Sequence, residues 1–191
     1  ENTPDAFNKF FTTVAGDIKS NIRSSDTPFN NYLPTLGDTS FSLFNCSPDD
    51  MVRLINTLQL GKSTGPNSFP TKLLQDLSGD LSQPLSFLFN LSLIQGIFPD
   101  AFKVAKVVPV FKNSDRTNLT NYRPISLLSN LGNLLEKIVH IQLNDFFEHE
   151  KLLYKLQFGF RLKTSTNHAL INIVDKIQSN LDNDLLSCGV F

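Results

Sequence analysis

Three cations in this chain are spaced as a phosphate grip would need them. Val104, Val107, Val108, Val110 and Phe111 are β-branched or aromatic and predict a strand. Lys106 and Lys112 are six residues apart along it and so share one face. Arg123 falls in a second predicted strand, about 122–128, reached through a loop of Asn, Ser, Asp and Thr at 113–120. A guanidinium offers a planar fork to non-bridging oxygens, and ammonium groups act as point charges, so together they suit a polyphosphate. Six residues of flat strand span ~20 Å, longer than a triphosphate. Lys106 therefore joins Lys112 only if the hairpin curls, and Lys112 with Arg123 makes the firmer pair. On chemistry alone, the same cations equally suit an edge hairpin kept soluble by charge.

Other chemistries fit less well. Gly61-Lys62-Ser63-Thr64 resembles the end of a P-loop, but Asn56 stands where that pattern needs its first Gly. A helix is expected before it rather than a strand, and Gly65-Pro66 break the chain after it. His140, His149 and His168 have no ligand spacing, and Phe147-Glu148-His149-Glu150 lacks the second His of a zinc helix. Cys46 and Cys188 form neither a CxxC nor a disulfide framework. Three Asn-x-Ser/Thr triplets begin at Asn45, Asn90 and Asn118, in a chain rich in Asn and Ser, and read as chance.

The 191 residues carry a net charge of −1, which excludes a uniformly basic nucleic-acid coat. That neutrality is an average. Residues 1–60 are net −3, residues 61–170 net +4, and residues 171–191 net −2. The densest basic stretch, 103–123, sets Lys103, Lys106, Lys112, Arg116 and Arg123 against Asp115 alone. With 40% hydrophobic residues and 18% charged, the chain can bury a core. No apolar run approaches the ~18–20 residues that cross a bilayer, so no membrane partner is expected. Glu1-Asn2-Thr3-Pro4 has no signal-peptide character, and the single Met, Met51, makes the chain read as a piece of something longer.

The elements that must position these residues follow from periodicity and caps. Phe7, Phe10, Phe11, Val14 and Ile18 predict a helix over 4–24. Residues 25–46 read as a linker carrying at most one short strand. Ser47-Pro48-Asp49-Asp50 predicts a capped helix running to about Gly61. A turn at 61–69, a short helix at 70–77 and a longer one at 80–96 come next. Ser129 is expected to cap a helix over 130–149, and Thr164 or Ser165 to start the last one. On that last helix Leu170, Ile173, Val174, Ile177 and Leu181 are the expected core face. Cys188-Gly189-Val190-Phe191 reads as a strand just begun. The expectation is an α+β, mostly helical chain with one β-hairpin.

Several blocks then fall into a known order. Asn121-Tyr122-Arg123-Pro124-Ile125-Ser126-Leu127-Leu128-Ser129, followed by Leu134-Leu135-Glu136-Lys137-Ile138, resembles the second block of non-LTR retrotransposon reverse transcriptases, the jockey-type branch above all. Phe7–Phe11 is similar to that family's lead-in helix. Lys62-Ser63-Thr64-Gly65-Pro66-Asn67 is similar to its Lys-Ser-x-Gly-Pro-Asp block, with Asn67 where Asp is usual. Leu88-Phe89-Asn90 through Gly96-Ile97-Phe98-Pro99, with Lys103–Lys112, resembles its first block. Gln157-Phe158-Gly159-Phe160-Arg161, with Ser165-Thr166 and Ala169-Leu170, resembles the next.

The resemblance implies an N-terminal extension and linker (1–46), the fingers region of a right-hand polymerase (47–186) and the first residues of a palm strand (187–191). It implies that Lys106, Lys112 and Arg123 contact the incoming nucleotide. It also implies that Lys62, Gly65, Gln157, Gly159, Phe160 and Arg161 lie along the template–primer, with Asn67 leaving the usual Asp contact open. The implied partners are an RNA template, a DNA primer, deoxynucleoside triphosphates and the palm and thumb of a parent polypeptide. The implied compartments are the nucleus and a cytoplasmic ribonucleoprotein. The family's catalytic carboxylates and their Mg²⁺ belong to the palm and are expected beyond Phe191, and Asp182 and Asp184 are poor substitutes. The fragment alone is therefore expected to be inactive, either as the fingers of a polymerase or as an inert nucleic-acid-binding or scaffolding remnant of one.

Overall fold

The computed structural model describes residues 3–22, 27–32, 39–63, 65–66 and 68–189. The chain divides into two compact units, Glu1–Leu143 and Asn144–Phe191.

The first unit opens with helix α1 (Pro4–Ser20), where Thr3 caps the Ala6 N–H and Pro4 occupies the first turn. The helix stops at Ser20, four residues short of the expected end, because the Asn21 N–H turns back to the Ile18 and Lys19 carbonyls. The expected linker carries a 3₁₀ turn at Phe29–Tyr32 and no strand among its described residues.

Helix α2 (Pro48–Asn56) starts as its sequence predicts. The Ser47 side chain accepts from the Asp50 N–H, and the Asp50 carboxylate accepts from the Ser47 N–H. The Ser47 hydroxyl also donates to the Asp50 carboxylate at 2.6 Å, and this bond with the one from the Ser47 N–H holds the Asp50 carboxyl below its ordinary range. The helix ends at Asn56, before the expected Gly61. Gly61 instead takes φ 75° in the following turn.

Helix α3 (Thr71–Asp76) and helix α4 (Ser78–Gln95) follow almost without a break, and Gly96 closes α4 at φ 65°. Pro84 lies inside α4 and removes one helix hydrogen bond near its start.

Strands β1 (Lys106–Phe111) and β2 (Tyr122–Leu127) pair antiparallel, the only sheet among the described residues. Helix α5 (Asn130–His149) has the expected bounds, and the Ser129 hydroxyl accepts from the Gly132 N–H at its start.

The core joins α2, α3, α4 and α5. Met51 and Ile55 are fully buried and meet Leu74, Leu85, Phe89, Leu134, Leu135 and Ile138. Residues 44–46 are held against this core by two carboxamides rather than by a strand. The Gln142 Oε1 accepts from the Phe44 N–H at 2.9 Å, and its Nε2 donates to the Phe44 carbonyl at 2.9 Å. The Asn90 Oδ1 accepts from the Cys46 N–H at 2.7 Å, and its Nδ2 donates to the Cys46 carbonyl at 3.0 Å.

The second unit contains helix α6 (Thr166–Asp182), capped by Ser165 rather than Thr164. The expected core face of α6 is not buried. Leu170 and Val174 are both 60% exposed, and no residue of the helix is buried. Helical spacing reports an apolar stripe but not whether an element covers it. Residues 187–189 form no strand, and Val190 and Phe191 lie outside the described residues.

Candidate nucleotide and nucleic-acid interface

The strand register decides which side chains share a face. Lys106 pairs with Leu127, Val108 with Ile125, and Val110 with Arg123. The Lys112 N–H donates to the Asn121 carbonyl at 2.8 Å, which carries the register one step past the strand end. Directly opposed residues lie on the same side of an antiparallel pair. Lys106, Val108, Val110 and Lys112 therefore share a face with Asn121, Arg123, Ile125 and Leu127.

All three cations stand on that face, and all three are exposed. Among the described residues none has a carboxylate within ion-pairing distance. Arg123 and Lys112 are diagonal neighbours, about 7–8 Å apart at the backbone. Lys106 lies four pairs from Arg123, about 13 Å along the strand. The structure thus brings Lys112 and Arg123 together and leaves Lys106 at the other end.

The reverse face carries the packing. Phe7 of α1 meets Tyr122 edge-on with ring centres 4.8 Å apart, and Phe111 meets Tyr122 at 5.4 Å. A groove of about 800 Å³ runs between α1 and this sheet, lined by Phe7, Phe11, Val107, Pro109 and Pro124.

The hairpin loop is internally bonded. Asp115 accepts from the Thr117 N–H at 2.8 Å and from its hydroxyl at 2.6 Å, which lowers the Asp115 carboxyl below its ordinary range. The Asn121 Nδ2 donates to the Asp115 carbonyl at 2.8 Å, and the Tyr122 hydroxyl donates to the Arg116 carbonyl at 3.0 Å. The Arg116 guanidinium lies 5.1 Å from the centre of the Phe111 ring. These bonds hold the ends of both strands, and with them Lys112 and Arg123.

Gly65 marks where the 61–69 turn meets the hairpin. Its N–H donates to the Leu128 carbonyl at 2.9 Å. A Cβ there would stand 2.6 Å from the Leu128 carbonyl carbon, closer than real side chains come. The close approach that its missing side chain permits is to the chain's own backbone. Lys62 is exposed and lines a small polar cavity with Thr57, Ser63, Thr71, Asn130 and Asn133. Thr64 and Asn67 lie outside the described residues.

In the second unit, Gln157 and Gly159 are exposed in the loop before α6, and Phe160 projects wholly into solvent at φ 60°. Arg161 is a fork. Its Nε donates to the Glu148 Oε1 at 2.8 Å and its Nη2 to the Glu148 Oε2 at 2.7 Å. The guanidinium holds the Glu148 carboxyl below its ordinary range.

Sequence reasoning missed Glu148, Asn90 and Gln142. Gln142 left a signal, a polar residue one turn after Ile138 on the apolar stripe of α5. Glu148 and Asn90 left none. Among the described residues no three His, Cys, Asp or Glu side chains gather as metal ligands. No helix among them is long and apolar enough to cross a membrane.

No protein-family profile matches the chain. Curated relatives do. The RNA-directed DNA polymerase from mobile element jockey of Drosophila melanogaster is 28% identical over 184 residues, 90% of this chain and 20% of its own length. The probable RNA-directed DNA polymerase from transposon BS of the same fly is 27% identical over 186 residues, 97% of this chain and 20% of its own length. The Retrovirus-related Pol polyprotein from type-1 retrotransposable element R1 of Bradysia coprophila is 30% identical over 124 residues, 63% of this chain and 12% of its own length. The chain is homologous to the RNA-directed DNA polymerases of non-LTR retrotransposons and spans about a fifth of the length of the first two relatives.

Proposed function

We propose that this chain is the fingers region of a right-hand reverse transcriptase, and that its hairpin grips the triphosphate of an incoming deoxynucleotide. The observation that carries this reading is the register that sets Lys112 and Arg123 side by side on an exposed, carboxylate-free face. Arg123 supplies a fork to two non-bridging oxygens, and Lys112 adds a point charge one diagonal step away. Lys106, paired with Leu127 at the opposite end of the hairpin, joins this grip only if the hairpin curls, and Lys62 and Gly65, the latter docked on Leu128, are assigned to the template–primer backbone.

The parent enzyme would copy an RNA template from a DNA primer, in the nucleus and in a cytoplasmic ribonucleoprotein. Its divalent metal, Mg²⁺ in our reading, would be held by carboxylates that the described residues do not gather. The part of the present residues is to bind and orient the triphosphate so that its α-phosphate lies in line with the primer 3′-hydroxyl.

The test is titration of the chain with a deoxynucleoside triphosphate, followed by NMR shifts of the hairpin amides. Binding should weaken at least tenfold in Arg123→Ala and in Lys112→Ala, and the nucleoside without phosphates should not bind. Equal binding by the variants and the parent would overturn the assignment.

A further inference from the structure

Helix α4 is apolar on both sides. Its inner side carries Leu85 and Phe89 into the core, at 7% and 2% exposed. Its outer side carries Phe87, Leu91 and Ile94, at 67%, 40% and 73% exposed, with Leu88 at 55% on the flank. No charged residue occurs between Asp80 and Asp100. A helix that is apolar all round is ordinarily covered all round, and the outer side of this one is open.

The outer residues are spaced to meet another helix. Leu77, Asp80, Pro84, Phe87, Leu91 and Ile94 follow one another at intervals of three, four, three, four and three. That is the 3.5-residue period of a seam between paired helices.

Charge narrows the partner. A nucleic acid or a charged peptide finds no counter-charge along this seam, whereas a second copy of the same neutral face meets no like charge, provided that Asp80 stays out. Parallel pairing sets Asp80 against Asp80 and is disfavoured. Antiparallel pairing sets Phe87 against Leu91 of the second copy and Pro84 against its Ile94. Asp80 then runs past the facing helix, which ends at Gln95. The area agrees. With Leu77 at 40%, the exposed parts of Phe87, Leu88, Leu91 and Ile94 amount to roughly 500 Å² of apolar surface per copy. A standard interface buries about 800 Å² per partner, and in homodimers about 65% of it is apolar.

We propose that the outer side of α4 is an isologous dimer surface, on which a second copy of this chain docks antiparallel across a two-fold axis between Phe87 and Leu91. The inference does not rest on the nucleotide reading of the hairpin, so either fails without the other.

Sedimentation of the chain over a micromolar concentration series should show a reversible monomer–dimer equilibrium. Phe87→Lys and Leu91→Glu should each raise the dimer dissociation constant at least about tenfold. Both side chains are exposed, so far-UV circular dichroism of each variant should match the parent. Mixing the two variants should restore association, because antiparallel pairing sets the introduced ammonium against the introduced carboxylate and leaves the other layer native. Val174→Lys, on the exposed stripe of α6, should leave the equilibrium unchanged.

A monomer at every concentration would overturn the proposal and leave the face to a different partner. Unchanged association in Phe87→Lys, or a mixture that stays monomeric, would overturn it too. Loss of association in Val174→Lys would do the same and assign self-association to α6.

Discussion

Asn90 brackets the backbone of Cys46, accepting from its N–H at 2.7 Å and donating to its carbonyl at 3.0 Å across 44 residues of sequence. Gln142 treats Phe44 the same way across 98 residues. The two carboxamides replace a neighbouring strand. They satisfy backbone groups beside the core, and those of buried Cys46 would otherwise lack partners.

Removing either carboxamide should therefore cost more than one ordinary hydrogen bond. Asn90→Leu or Gln142→Leu leaves a donor and an acceptor unpaired, a loss of about 1–3 kcal/mol each. Urea unfolding of both variants and the double variant should show coupling, since they clamp adjacent parts of one segment. An unchanged midpoint in either single variant would refute the clamp.

Gly65→Ala should destabilise the first unit by about 1–3 kcal/mol, because the added methyl meets the Leu128 backbone rather than a side chain that can rotate away. Gly16→Ala supplies the contrast. Nothing lies within 4 Å of its added Cβ. In the interior of α1 it should gain up to about 1 kcal/mol from helix propensity. Thermal melts of the two variants should move in opposite directions.

Salt dependence separates the hairpin cations from Arg161. Each phosphate contact removed should lower the slope of log affinity against log salt by about one. Arg123→Ala and Lys112→Ala should each flatten the salt dependence of nucleoside triphosphate binding, by less than one unit of slope because a triphosphate carries no condensed counterion atmosphere. Arg161→Ala should leave the slope for a single strand intact while lowering affinity at every salt concentration. A reduced slope in Arg161→Ala would show that the guanidinium leaves Glu148 to bind phosphate.

Acid should loosen the second unit through Glu148. Its carboxyl titrates below the ordinary value of 4.5 because Arg161 bonds to the charged form. A lowered folded-state value means that the pair's stabilisation is complete above that ordinary value and is lost as pH falls through the lowered one. Carboxyl NMR of the parent should show the depressed midpoint, and Arg161→Met should return it toward the ordinary value. Equal midpoints in the two proteins would remove the fork from solution.

Local features were legible in the sequence because their partners lie within a few residues. The Ser47–Asp50 capping box, Gly96 at the end of α4, the bounds of α5 and the two strands of the hairpin all depend on i to i+3 contacts, backbone conformation or period-two patterning. The choice of Lys106, Lys112 and Arg123 came from that same patterning.

Tertiary structure alone decided which of these residues meet. The register made Arg123 a neighbour of Lys112 and set Lys106 apart, because pairing depends on how the whole loop closes. Packing gave Gly65 to Leu128, Asn90 to Cys46 and Arg161 to Glu148, contacts between residues with no shared periodicity. It also left the apolar stripe of α6 without a buried residue, since a stripe encodes a preference for burial and only a packed neighbour can supply it.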